Sequence, residues 1–228
     1  MKKVSPMSKS LKQKNQPQLI AFVVLNVLGL GAIALGLPHL LSLVEGLTKG
    51  NWAILGKLIA VPTALTLVTG ILGWAMPSSG KEILVFWKTG KHCLPSSRAF
   101  SVLGPNDPRV DMQRLTLRGG PLPTSAEEQT ALWYRMYRLH ADDVSIEDAH
   151  GAYLRFREMT TLTLALLVSS VGSFLWFHVP GQRLALGCVL LVIEYLFLML
   201  AARNAATHFV SNVLALEGSG PLETTPGP

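Results

Sequence analysis

The stretch Leu184–Ala202, LALGCVLLVIEYLFLMLAA, decides the fold. It is apolar on every side, with no polar face turned toward water. A membrane crossing needs about 20 mostly apolar residues, each rising about 1.5 Å along a helix. This run meets that length. One acid interrupts it, Glu194, ten positions in from Leu184. A carboxylate near the middle of a bilayer costs about 3 kcal/mol or more, so it marks a bundle interior or a wet cavity.

Three further runs have the same character. They are Leu19–Leu37 (LIAFVVLNVLGLGAIALGL), Trp52–Met76 with Lys57 and Pro62 inside it, and Met159–Val179. The run at 19–37 exceeds the 7–15 residues of a signal-peptide core, and no A-x-A site follows it. It therefore reads as a retained span. Composition agrees with a membrane protein. Of the 228 residues 49% are hydrophobic and 15% charged, against about 25% charged in a soluble domain. The mean hydropathy is +0.37. This composition excludes a disordered tail protein and weighs against a soluble enzyme.

Charge gives the orientation. The N-terminal tail carries Lys2, Lys3, Lys9, Lys12 and Lys14 and no acid, and Pro77–Glu158 carries eleven Lys and Arg. The connection Pro38–Gly50 carries only Lys49, and Pro180–Gln182 carries no basic residue. Basic loops stay in the cytoplasm. Both termini and the long central segment are therefore expected there. The +6 net charge is a topology signal, and no direct nucleic-acid partner is expected.

The expected architecture is an all-α membrane protein with four transmembrane helices and a small, mostly helical cytoplasmic insert between helices 2 and 3. Residues 1–18 form a basic tail, 19–76 carry helices 1 and 2, and 77–158 form the cytoplasmic domain. Residues 159–203 carry helices 3 and 4, 204–217 a cytoplasmic helical extension, and 218–228 a disordered tail. Within the insert, Glu82–Trp87 reads as a short strand or a piece at the membrane surface. From Gly90 to Thr124, Pro95, Pro105, Pro108, Pro121 and Pro123 break helices. Recurring apolar residues there predict an ordered, packed loop. Thr124-Ser125-Ala126-Glu127 is a capping-box pattern. Its helix places Trp133, Met136 and Tyr137 on one face, a core or a docking face. Ser145-Ile146-Glu147-Asp148 reads as a second cap, opening a helix that runs into the third span.

Several groups could carry chemistry. Glu194, Lys57 and Asn26 are the intramembrane polar residues, with Asn26 and Tyr195 as candidate donors to Glu194. Arg98, Arg109, Arg114 and Arg118 dot the irregular loop and could hold a phosphate-bearing ligand such as a nucleotide messenger. Snorkelling or pairing with Asp111, Glu127 and Glu128 accounts for the same arginines. Thr63, Thr66, Thr69, Thr163, Ser169, Ser170 and Ser173 suit either close helix packing or a polar conduction stripe, and packing is favoured. The acids and histidines at 140–150 match no known metal spacing, so no metal, cofactor or catalytic residue is expected. Cys93 beside Lys91 and His92 lacks a catalytic partner, and no phosphate-loop signature occurs. The chain is read as a non-enzyme.

The segments Asp107-Pro108-Arg109-Val110-Asp111 and Trp133-Tyr134-Arg135-Met136-Tyr137 sit in a layout of two spans, a helical insert and two spans. That layout resembles small four-span membrane proteins of bacterial antiphage defence systems. The resemblance implies a cytosolic sensing region that gates membrane disruption or ion flow, as in an ion channel. It implies no transferable catalytic residue. The leading expectation is a homo-oligomeric membrane effector or sensor that alters permeability when its cytoplasmic domain is engaged. The alternative is a non-conducting anchor or scaffold that recruits a cytosolic partner protein. The lipid bilayer is a partner in either case.

Overall fold

The computed structural model describes residues 11–36, 42, 45–46, 48, 65–88 and 94–219. Among these no strand occurs, and the fold is all-helical. Among the described residues, seven α-helices of two turns or more carry it: α1 (Leu11–Leu35), α2 (Leu65–Ala75), α3 (Ser78–Phe86), α4 (Met112–Gly119), α5 (Ala126–Leu139), α6 (Val144–Trp176) and α7 (Gly181–Ser219). Contacts divide the chain into two units. One joins the residues up to Lys81 with Arg157–Met199, and the other joins Glu82–Phe156 with the residues from Leu200 onward.

Three of these helices, not the four expected, are long and apolar enough to cross a membrane: Gln13–Leu35, α6 and α7. The described part of the second expected span is α2, an apolar helix of eleven residues, about 17 Å long. That is about half a bilayer core. The rest of that run, with Lys57, Pro62 and Thr63, lies outside the described residues. So do the first ten residues, most of the connection 38–50, the Lys91-His92-Cys93 group and residues 220–228. The helix expected at 204–217 is the continuation of α7, which runs to Ser219 without a break.

In the first unit α1 buries Val23, Val27 and Leu30, spaced by four and three, against Leu162, Leu166 and Phe174 of α6 and Leu191 of α7. The opposite side of α1 leaves Ile20, Leu25 and Leu28 more than half exposed, as a lipid-facing surface requires. The end of α1 is closed chemically. Gly36 adopts φ +74° and donates from its N–H to Ala32 O at 2.9 Å. Arg183 Nη1 then donates to Ala34 O at 3.0 Å and Leu35 O at 2.9 Å, satisfying carbonyls that a helix end leaves open. A Cβ at position 36 would lie 2.7 Å from the Arg183 guanidinium and displace it, and the positive φ favours glycine there as well.

The turn from α6 to α7 is equally tight. His178 takes φ +53°, its N–H reaches Leu175 O at 3.2 Å, and Val179 N reaches Phe174 O at 2.9 Å. This is a Schellman ending, and Pro180 prevents the helix from continuing.

The run Glu82–Trp87, for which a strand is one of the two readings above, is helical as far as Phe86. Only Ile83 and Val85 in it are β-branched, and burial of Lys81 and Val85 one turn apart outweighs that weak local preference. Trp87 ends α3 at φ +53°, with its N–H on Ile83 O at 2.8 Å. Arg203 stacks over the Trp87 ring at 5.4 Å and donates from Nε to Val85 O at 2.6 Å. Those contacts offset the cost of a left-handed non-glycine residue.

The proline-rich segment is ordered, as its apolar content implied. Pro95–Arg98 forms a 3₁₀ turn, Ala99–Leu103 a π turn, and Gly104–Asn106 one further turn. Each change of register leaves backbone groups open. The buried Gln129 of α5 answers them. Its Oε1 accepts from Phe100 N at 3.0 Å and Ser101 N at 3.2 Å, and its Nε2 donates to Thr124 O at 3.0 Å. Gly104 packs where a Cβ would meet Met112 Sδ at 2.6 Å.

Both expected caps shift by a residue or two. Ser125, not Thr124, caps α5: its Oγ accepts from Glu128 N and donates to Glu128 Oε2 at 2.7 Å. Asp143, not Ser145, caps α6, accepting from Ser145 N at 2.9 Å and Ser145 Oγ at 2.6 Å. These bonds hold the Asp143 carboxyl below its ordinary range.

Candidate functional site: an intramembrane carboxylate and its surroundings

The polar site inside the apolar helices is built from α1 and α7. Leu191 and Met199 are buried on α7, and Glu194 lies between them at the margin of that face. Asn26 sits between the buried Val23 and Val27 on α1. The two meet: Asn26 Nδ2 donates to Glu194 Oε1 at 3.1 Å, and also to Phe22 O of its own helix at 3.2 Å. Of the two donors expected for Glu194, Asn26 is the one that reaches it. Lys57 lies outside the described residues.

The hydroxyl residues behave as packing elements. Thr161, Thr163, Ser169 and Ser173 each donate to a carbonyl one turn back in α6, at 2.8–3.0 Å. Ser170 Oγ does the same to Leu167 O at 3.0 Å. These bonds spend the hydroxyl hydrogens within α6 itself. One bond crosses helices: Thr69 Oγ1 of α2 lies 3.3 Å from Ser169 Oγ.

Midway along α6, just before its apolar run, the structure shows a charge cluster that composition alone did not single out. Lys81 Nζ meets Glu158 Oε2 at 2.6 Å, with side-chain exposures of 5% and 13%, and Arg157 donates to Glu158 Oε1 at 3.0 Å. The sequence signal was present. Lys81 closely follows the second apolar run, and Arg157 and Glu158 immediately precede the third.

In the second unit the four loop arginines part company. Arg109 grips Asp107 with two bonds, Nε to Oδ1 at 3.0 Å and Nη2 to Oδ2 at 2.8 Å, and its Nη1 reaches Asn212 Oδ1 at 3.1 Å. That guanidinium pulls the Asp107 carboxyl down to about 2 and raises Arg109 in turn. Arg114 pairs with Asp111 at 3.5 Å. Arg118 Nη1 donates to Glu217 O at 2.6 Å and Glu217 Oε1 at 3.2 Å. Arg98 is exposed. Three of the four are thus engaged by the chain's own acids.

The face of Trp133, Met136 and Tyr137 is covered from within. Trp133 and Met136 are buried in a core with Phe209, Val210, Val213 and Leu214 of α7. Trp133 Nε1 points at Val210 O at 3.4 Å. Tyr137 stacks on Trp133 at 5.7 Å and meets Phe209 edge-on at 5.2 Å. Burial raises the Tyr137 phenol above its ordinary range, and the neighbouring charges of Tyr134 and Asp142 add to it. The Tyr137 hydroxyl lies 3.2 Å from His150 Nδ1. His140 goes elsewhere, to Glu217 Oε2 at 2.5 Å. The two histidines therefore serve different partners, and no group of three or more metal-ligating side chains gathers among the described residues.

Comparison with protein-family models, with curated proteins and with solved structures gives no match.

Proposed function

We propose that this chain is a multi-pass membrane effector or sensor whose homo-oligomer alters permeability when its cytoplasmic unit is engaged. The observation that carries the reading is the Asn26–Glu194 bond within apolar helices. A purely structural bundle would do better with a neutral residue at 194, because a midspan carboxylate is costly. A site that moves or senses charge needs one.

In this reading the chain crosses the membrane four times, with α2 as the described part of the second crossing. Charge supports it. With crossings by α1, α6 and α7 alone, the tail's five lysines and the eleven basic residues of Pro77–Glu158 would lie on opposite sides. A further crossing before Pro77 returns both to the cytoplasm. The membrane is then a bacterial inner membrane and the setting antiphage defence, in keeping with the resemblance noted above.

The second reading is a non-conducting anchor or scaffold. The hydroxyls of α6 favour it, since their hydrogens are spent on carbonyls of their own helix, as in close helix packing. Ion flux from purified protein in liposomes separates the two. The effector reading expects flux that Glu194→Gln alters while expression and assembly stay intact. Absence of flux under every condition, with an intact assembly, would leave the scaffold.

A further inference from the structure

The hydrogen-bond inventory of the Asn26–Glu194 pair is lopsided. An Asn amide has two N–H donors, and both are spent, one on Phe22 O and one on Glu194 Oε1. Glu194 Oε2 and Asn26 Oδ1 have no donor among the described residues. With Glu194 ionised, the uncommitted capacity of the site is entirely acceptor. A second copy of the same ionised pair would bring more acceptors and no new donor. A positive charge completes it.

The surroundings say what kind of cation fits. Phe197 lies one turn from Glu194 on the same face of α7 and is 70% exposed. Phe22 lies one turn from Asn26 on α1. Leu190 and Ile193 beside Glu194 are 47% and 45% exposed, so the site opens on an apolar surface. A small inorganic ion needs about six oxygen ligands, far more than this pair supplies. Carboxylate, amide oxygen and aromatic rings suit an organic cation whose apolar body stays in hydrocarbon.

We propose that Asn26, Glu194 and Phe197 form a lipid-accessible binding site for lipophilic organic cations. Glu194 supplies the counter-charge, Asn26 fixes the carboxylate, and the Phe197 ring takes one face of the ligand. The site rests only on α1 and α7 lying in the membrane and is independent of whether the protein conducts.

Equilibrium dialysis of tetraphenylphosphonium against the full-length protein in detergent micelles tests this. Micelle partitioning is common to every variant, so the readout is saturable binding above the Glu194→Gln background. Wild type should bind at least about tenfold more tightly than E194Q, a single lost ion contact. Phe197→Leu, at an exposed position that does not threaten folding, should weaken binding about threefold or more. Equal binding by wild type and E194Q overturns the site. Unchanged binding in Phe197→Leu overturns the part given to the ring. Liposome flux measured on the same preparations reports the permeability reading separately.

Discussion

Glu217 receives His140 Nε2 on one carboxylate oxygen and Arg118 Nη1 on the other, although 77 residues separate it from His140 and 99 from Arg118. One acid close to the end of α7 thus ties together α4, the turn after α5 and the last helix. Glu217→Gln should loosen all three. With side-chain exposures of 13–26% among the partners, the loss should be about 1–2 kcal/mol of local stability. Amide hydrogen exchange over residues 204–217 would show it as faster opening. Unchanged protection there would mean the ties are idle.

Trp133 fills the centre of the second unit's core. Trp133→Ala should cost about 3–5 kcal/mol, the range for emptying a large aromatic site. The second unit should become protease-sensitive, while Trp133→Phe, which keeps most of the volume, should be milder. If alanine at 133 changes neither protease resistance nor assembly, this face has no structural role.

The Asp107–Arg109 pair gives a pH signature. Asp107 has a folded value of about 2 against an ordinary 3.8. Its contribution is present above the ordinary value and disappears as pH falls from about 4 through 2. Arg109 is 53% exposed, so after solvent screening the contribution should be about 1 kcal/mol or less. Asp107→Asn should flatten that part of the acid-unfolding curve and leave stability at pH 7 slightly lower. Identical acid curves for the two proteins would contradict the pairing.

The α6 hydroxyls should be replaceable. Thr163→Val and Ser173→Ala remove bonds made only to the same helix, so each should change stability by about 1 kcal/mol or less. Liposome flux should not move. A large change in ion selectivity in either variant would revive the conduction stripe.

Topology is open to a direct check. A reporter inserted near Gly119, or fused after Pro228, should register in the cytoplasm. Periplasmic signal at either position would reverse the proposed four-crossing arrangement.

Much of the fold could be read from runs and punctuation. The apolar stretches before Pro38 and after Glu158 became α1, α6 and α7, because length and hydropathy leave a chain few alternatives. The helix through Trp133 and the continuity of α6 from the insert into the third span were also legible. The strand reading of Glu82–Trp87 failed because six residues carry too little periodicity to outweigh packing, which no local pattern records. The polar anchors show the same limit. Asn26 was identifiable as a candidate for Glu194 because both are rare inside apolar runs. Gln129 and Glu217 gave no such signal, since a glutamine or a glutamate on an ordinary helix looks like surface until its distant partners are placed.

Gln129 also fixes an order of events. The turns at 95–106 draw two of their backbone bonds from a residue 28 and 29 positions downstream. During synthesis that segment leaves the ribosome before Gln129 exists. Until α5 exists, Phe100 N and Ser101 N lack the acceptor that Gln129 gives them. The native turns of this proline-rich segment therefore depend on chain that is made after it.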